Sequence, residues 1–399
     1  MKKNIINAKY IWLLVTLLSF VACNEPEDVL AGTSEEPEKV IELPELTTGT
    51  ADFSNYVALG ASFTAGYTDG ALFKASQENS FPNILAKEFS KVGSSDFTQP
   101  LMNDNFGGLA FGGNRLPGFN PRLIFGGAGP IPLESAIGPV TVTTDLTSNP
   151  TGPFKNLGVP GAKSFHLLFD GYGNPAGLQT NPATANPYFV RMASSETATM
   201  LGDAMAQNPT FFTLSEIGGN DVLGFATSGG DGSNNITPPT GPPGVGFDGS
   251  FGALITTLTS GGAKGIVTNV PYITDLPHFT TIPNNALVLD AGTAAQLTGV
   301  FQAVSGIFLQ GLLLQSVPLE QAQALASQYA ITFSAGPNRW IIDVPVTQTN
   351  PLGFRQMTED ELLLLTIDQS ALAQGYGTVL LTPEVMQVLG LLQQGGTPT

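Results

Sequence analysis

Two largely apolar runs, Tyr56-Val57-Ala58-Leu59 and Phe211-Phe212-Thr213-Leu214, end abruptly in small and polar residues: Gly60-Ala61-Ser62 after the first, Gly218-Gly219-Asn220-Asp221 after the second. Short runs of this kind, without alternation, predict strands buried on both faces, and a third is predicted over Gly265 to Val270. Helical spacing lies between them. Phe81, Ile84, Leu85 and Phe89 recur behind Pro82, and further helices are expected after Gly161 (Phe165, Leu168, Phe169), over about Ser195 to Ala206 and over about Gly252 to Leu258. From Ala294 to Leu314, Leu297, Val300, Phe301, Val304, Ile307 and Phe308 share one face, which predicts an amphipathic helix packed against the sheet. Alternating strands and helices imply an α/β fold with a mainly parallel sheet. Ligands bind at the carboxyl ends of such strands, where Ser62 and Asn220 would both arrive.

Composition adds loops to this picture. Gly (47) and Pro (30) are abundant while charged residues make up only 12%, so long excursions on a compact scaffold are expected. Residues 100–150, with a hairpin anticipated at Val140-Thr141-Val142-Thr143, and the Gly/Pro/Ser/Thr-rich residues 226–248 are the two candidates.

The N-terminus carries Lys2, Lys3 and Lys9 ahead of an apolar stretch from Ile11 to Ala22, which is too short to span a bilayer and reads as an export signal. The single cysteine, Cys23, follows directly and resembles the lipobox cysteine of bacterial lipoproteins, which implies attachment to the cell envelope through a lipidated N-terminus. Residues 23–49 hold Glu25, Glu27, Asp28, Glu35, Glu36, Glu38, Glu42 and Glu45 and read as an acidic tether. Its acids resemble the surface-export signals of Bacteroidetes lipoproteins, although solubility alone also explains them. Loss of residues 1–22 would take the net charge from -17 to -20, which excludes nucleic acid as an expected partner. Two histidines and one cysteine leave little for a metal site, and no cofactor is expected.

Candidate chemistry sits in three blocks. Val57-Ala58-Leu59-Gly60-Ala61-Ser62-Phe63-Thr64-Ala65-Gly66, Asn156-Leu157-Gly158-Val159-Pro160-Gly161-Ala162 and Gly218-Gly219-Asn220-Asp221 resemble, in order and spacing, the first three blocks of the SGNH/GDSL hydrolases, closest to the lipoprotein members of that family. The resemblance covers about residues 52–290. It implies a three-layer α/β/α, flavodoxin-like fold over 50–399, with residues 1–22 as signal peptide and 23–49 as tether. It also implies Ser62 as nucleophile, with the Ser62 and Gly161 backbone N–H groups and the Asn220 carboxamide as oxyanion donors. The implied activity is esterase or acylhydrolase chemistry on lipid or carbohydrate acyl esters, placing the protein on the outer membrane of a Gram-negative bacterium. Taken singly, Ser62 reads as a helix N-cap, and Gly161 and Asn220 as turn residues. Only their conjunction points to catalysis.

Two other motifs fail. Gly60-Ala61-Ser62-Phe63-Thr64 lacks the second glycine of a G-x-S-x-G elbow, and Gly161-Ala162-Lys163-Ser164 has Ala162 where a phosphate loop needs glycine. The general base is the weak point. The family's Asp-x-x-His block near the C-terminal end has no counterpart after residue 279, so the hydrolase domain reads as incomplete there. The one Asp-x-x-His, Asp275-Leu276-Pro277-His278, follows the third predicted strand and is the candidate base and orienter, with His166 a weaker one. The competing class is a catalytically impaired surface lipoprotein that binds acylated lipid or glycan.

Overall fold

The computed structural model describes residues 46–367 apart from 94, 95 and 128. The chain divides into Met1–Thr47 and Thr48–Thr399, and every element below belongs to the second unit. The signal peptide, Cys23 and most of the expected tether lie outside the described residues.

Strand β1 (Tyr56–Gly60) is followed by two small hairpins, β2 (Ala110–Phe111) with β3 (Asn114–Arg115) and β4 (Leu123–Phe125) with β5 (Pro130–Pro132). Then come β6 (Asn156–Gly158), β7 (Phe211–Ser215) and β8 (Lys264–Val267). Strands β6, β1, β7 and β8 form one sheet in that order, every pairing parallel, with Gly60 opposite Gly158 on one side and Ser215 on the other. Counted within this sheet alone the order is 2-1-3-4. Consecutive connections therefore leave β1 in opposite directions, and a crevice opens at its carboxyl end.

Both faces of β1 are covered, which is why its run is apolar throughout. Val57 and Leu59 join Leu157, Phe212, Leu214, Met200, Leu254 and Leu258 in the larger core, under helices Met200–Met205 and Phe247–Thr259. Tyr56, Ala58 and Phe211 turn the other way, onto Ala86, Leu85 and Phe89 of helix Phe81–Phe89. There Phe53 stacks on Phe89 at 4.1 Å, and the Tyr56 hydroxyl is satisfied by Thr213 Oγ1 at 2.8 Å. The molecule is thus α/β with helices on both sides of a parallel sheet. Strand β8 differs: it is the sheet's edge, with Ile266 49% and Val267 42% exposed.

Several local expectations change. The segment after Gly161 forms a 3-10 turn, Ser164–Leu168, rather than an α-helix. The helix expected from Ser195 begins only at Met200, because Thr199 caps it by accepting from Gly202 N at 2.8 Å, while Ser194 is held by the Asp203 carboxylate. Val140–Thr143 is not a strand; Thr143 donates to the Asp104 carboxylate instead, and the hairpins of the insertion lie earlier.

The long helix, Ala291–Leu314, does form, capped by Asp290 accepting from Thr293 N at 2.9 Å. It does not pack on the central sheet. Phe301 meets Ile331, Phe333, Ile341 and Phe354 in a separate small core, and Ser305 Oγ donates to Ala326 O of helix Leu319–Ser327. Only Ala294 and Phe301 of its residues are buried. Four further short strands complete this C-terminal part: β9 (Leu287–Leu289) pairs with β10 (Gly336–Asn338), and β11 (Ile341–Asp343) with β12 (Phe354–Gln356).

Candidate active site

At the end of β1 the chain turns through Ala61 into a four-residue helix, Ser62–Ala65. The turn sits directly on the strand ends. A Cβ at Gly60 would lie 2.0 Å from Thr64 Oγ1, and one at Gly158 would lie 2.3 Å from Ala65 N, so both positions require glycine. Ala61, not Ser62, is the N-cap residue, and no local side chain caps the turn. The cap comes from the loop after β7: the Glu216 carboxylate accepts from Ala61 N at 2.6 Å, Phe63 N at 2.8 Å and Thr64 N at 3.0 Å. Ser62 is the one position this carboxylate passes over. Its N–H and its hydroxyl have no hydrogen-bond partner among the described residues.

Glu216 was not singled out in the sequence. It stands at φ 57, and its own N–H is held by Thr268 Oγ1 at 3.1 Å. Burial raises its pKa, against the three N–H donors that favour the anion. An acidic residue between a buried strand and a Gly-Gly turn was the available signal, but nothing in sequence spacing says it reaches back to another strand's turn.

The second block is tied to the first. Val159 N donates to Gly60 O at 3.1 Å, and Asn156 Nδ2 donates to Thr64 O at 2.9 Å. Gly161 follows at φ 81, a conformation that favours glycine, with nothing within 4 Å of where a Cβ would stand. Its N–H also lacks an acceptor among the described residues.

The third block closes on the second. Asn220 lies in the first turn of helix Gly219–Thr227, and its Nδ2 donates to Ala162 O at 2.9 Å, which leaves one carboxamide N–H unspent. Beside it the buried Asp221 carboxylate accepts from Ser164 N at 2.9 Å and Ser164 Oγ at 2.6 Å. Ser62, Gly161 and Asn220 therefore follow three neighbouring parallel strands, β1, β6 and β7, at their carboxyl ends. Hydrogen bonds stitch their loops together.

The histidines are arranged differently from the expected dyad. Asp275 ends a 3-10 turn, Ile273–Asp275, that packs beside helix Gly219–Thr227, and His278 lies in helix Pro277–Thr280. No hydrogen bond or ion pair joins them, and His278 Nε2 is enclosed without a partner. Leu276, at ψ 145 before Pro277, breaks the helix between them, so the i,i+3 spacing does not bring the two side chains onto one face. His166 accepts from Lys163 N at Nδ1, at 3.0 Å, and stacks on Tyr172 at 4.3 Å. Its proton then resides on Nε2, and burial together with the nearby Lys163 charge lowers its pKa to about 4.

Gly161 and His166 line a cavity of about 950 Å³, whose walls include Leu116, Phe119, Phe165 and Leu178. Among the described residues no group of three or more His, Cys, Asp or Glu side chains could hold a metal ion. Compared with known proteins, the chain matches no protein-family model, no curated protein and no solved structure.

Proposed function

We propose that the protein is a serine ester hydrolase of the SGNH/GDSL kind, on the flavodoxin-like fold of that family, acting on acyl esters at the cell envelope. The Ser62 oxygen attacks the ester carbonyl, the alcohol leaves, and water releases the acyl group in a second step. The N–H groups of Ser62 and Gly161 and the free N–H of Asn220 stabilise the oxyanion in between. One observation carries this reading: Ala61, Phe63 and Thr64 spend their N–H groups on Glu216, yet among the described residues the Ser62 and Gly161 N–H groups and one of Asn220 stay unspent at the ends of neighbouring strands, as does the Ser62 hydroxyl. Of the two histidines, His166 has its Nδ1 lone pair committed to Lys163, which leaves His278 as the proton acceptor of the proposal, acting without Asp275 as its orienter. A lipid on Cys23 would anchor the protein to the outer membrane, and small-molecule or glycolipid esters are its expected substrates.

A fluorophosphonate probe tests the assignment. Wild-type protein should be labelled and Ser62→Ala should not. Asn220→Ala should lower turnover of a nitrophenyl ester about a hundredfold, equivalent to about 3 kcal/mol. The absence of any bond between Asp275 and His278 favours a second reading, a surface lipoprotein that binds acylated ligands without turnover. A wild-type protein inert to the probe would decide for it.

A further inference from the structure

We infer that the cavity beside Gly161 is a site for a hydrocarbon chain, so that the ester is that of a medium or long acyl group rather than of acetate on a glycan. The inference rests on the hydrolase reading for its orientation. Gly161, a proposed oxyanion donor, stands on the cavity wall while Ser62 and Asn220 lie outside its lining, so the cavity would hold the chain attached to the carbonyl carbon rather than the reacting carbonyl itself. Leu116 and Phe119 come from one Gly/Pro-rich insertion, Phe165 and Leu168 from the turn after Gly161, and Leu178 from further along the same connection. The volume of about 950 Å³ is that of a site for a sizeable organic group.

The polar groups on the walls decide the ligand class, because most are already spent inside the fold. Asn186 accepts from Tyr188 N at 2.9 Å through Oδ1 and donates from Nδ2 to Pro160 O at 2.9 Å and to the Tyr172 hydroxyl at 3.0 Å. Thr184 Oγ1 pairs with Thr180 Oγ1 at 3.3 Å. His166 has given Nδ1 to Lys163 and is held neutral, leaving a single N–H. Asp170 is exposed. A sugar brings a hydroxyl on nearly every carbon, and beyond those that meet the His166 N–H or the Asp170 carboxylate each would lose water without finding a partner on these walls. An alkyl chain has nothing to leave unpaired. Each methylene it buries should tighten binding about fourfold.

Neutral alcohols test this without involving the ester chemistry. Calorimetric titration of the full chain should find octan-1-ol bound about a hundredfold more tightly than butan-1-ol, and Leu178→Trp, which fills the cavity, should weaken octanol at least tenfold. Thermal unfolding of the variant checks that it is folded. Should Leu178→Trp not fold, Leu178→Gln carries the same expectation, with octanol weakened at least tenfold by a polar group on the wall. Equal binding of the two alcohols overturns the inference, and does so even if Ser62 reacts with the phosphonate and nitrophenyl acetate is cleaved. Saturable binding of a disaccharide with no alkyl preference overturns it as well. Octanol preference lost in Leu178→Trp, in a protein whose Ser62 is inert, upholds the cavity assignment while removing the hydrolase reading.

Discussion

His166 shows how much of a residue's chemistry is set by what its neighbours have taken. The Lys163 N–H fixes its tautomer, Tyr172 covers one ring face, and desolvation makes the cation costly. A histidine whose pKa is lowered on folding contributes stability that is complete above its unfolded value and fades as the pH falls. The unfolded chain binds the proton first, near pH 6.5, while the folded chain resists it to about 4. Between those values the protein should lose on the order of 3 kcal/mol from this group. In His166→Asn that part of the acid-side decline should be missing, as read from urea midpoints across the range; an unchanged slope would show that another group carries it. That Ser62, Gly161 and Asn220 follow parallel strands was legible because each comes shortly after an apolar run and falls on a small or polar residue. The Asp275–His278 spacing misled, because three residues apart means adjacency only on an unbroken helix, and Pro277 breaks this one.

At the scale of elements, the Ser62 turn is held by a different strand's loop. A four-residue helix cannot satisfy its own first N–H groups, and Glu216 does it from the end of β7. Glu216→Ala should leave three donors unpaired beneath β1 and cost about 1–3 kcal/mol. Phosphonate labelling of Ser62 should slow with it, and Glu216→Gln, which keeps one acceptor oxygen, should recover part of both losses. Labelling at the wild-type rate in a destabilised Glu216→Ala would restrict the clamp to a structural role. Strands β1 and β7 could be read directly because burial on both faces keeps them largely apolar, the hydroxyls of Tyr56 and Thr213 satisfying each other. The long helix could be located but its expected packing against the sheet does not hold: Ala291–Leu314 carries apolar residues beyond the face of Leu297 to Phe308, so its sequence does not single out the sheet as partner. The three-residue strands β9 to β12 are too short to show any period, and they went unread for that reason.

For the whole molecule, the acidic balance bears on where it can sit. A net charge of -17, or -20 without residues 1–22, disfavours spreading on anionic headgroups, so membrane attachment falls to the proposed lipid on Cys23. Cys23→Ala should move the protein from the membrane to the soluble fraction of the cells that make it, and unchanged fractionation would refute the proposed anchor. The cavity has one further consequence. Of the proposed reacting groups only Gly161 stands on its wall, while Leu116, Phe119 and Gly244 come from excursions free to change length and composition. Under the proposed hydrolysis, bond-breaking and taste for substrate would be written in separate stretches of the chain. Descendants of such an enzyme could be re-tooled for a new ester by rewriting two loops while the proposed reacting groups stay where they are.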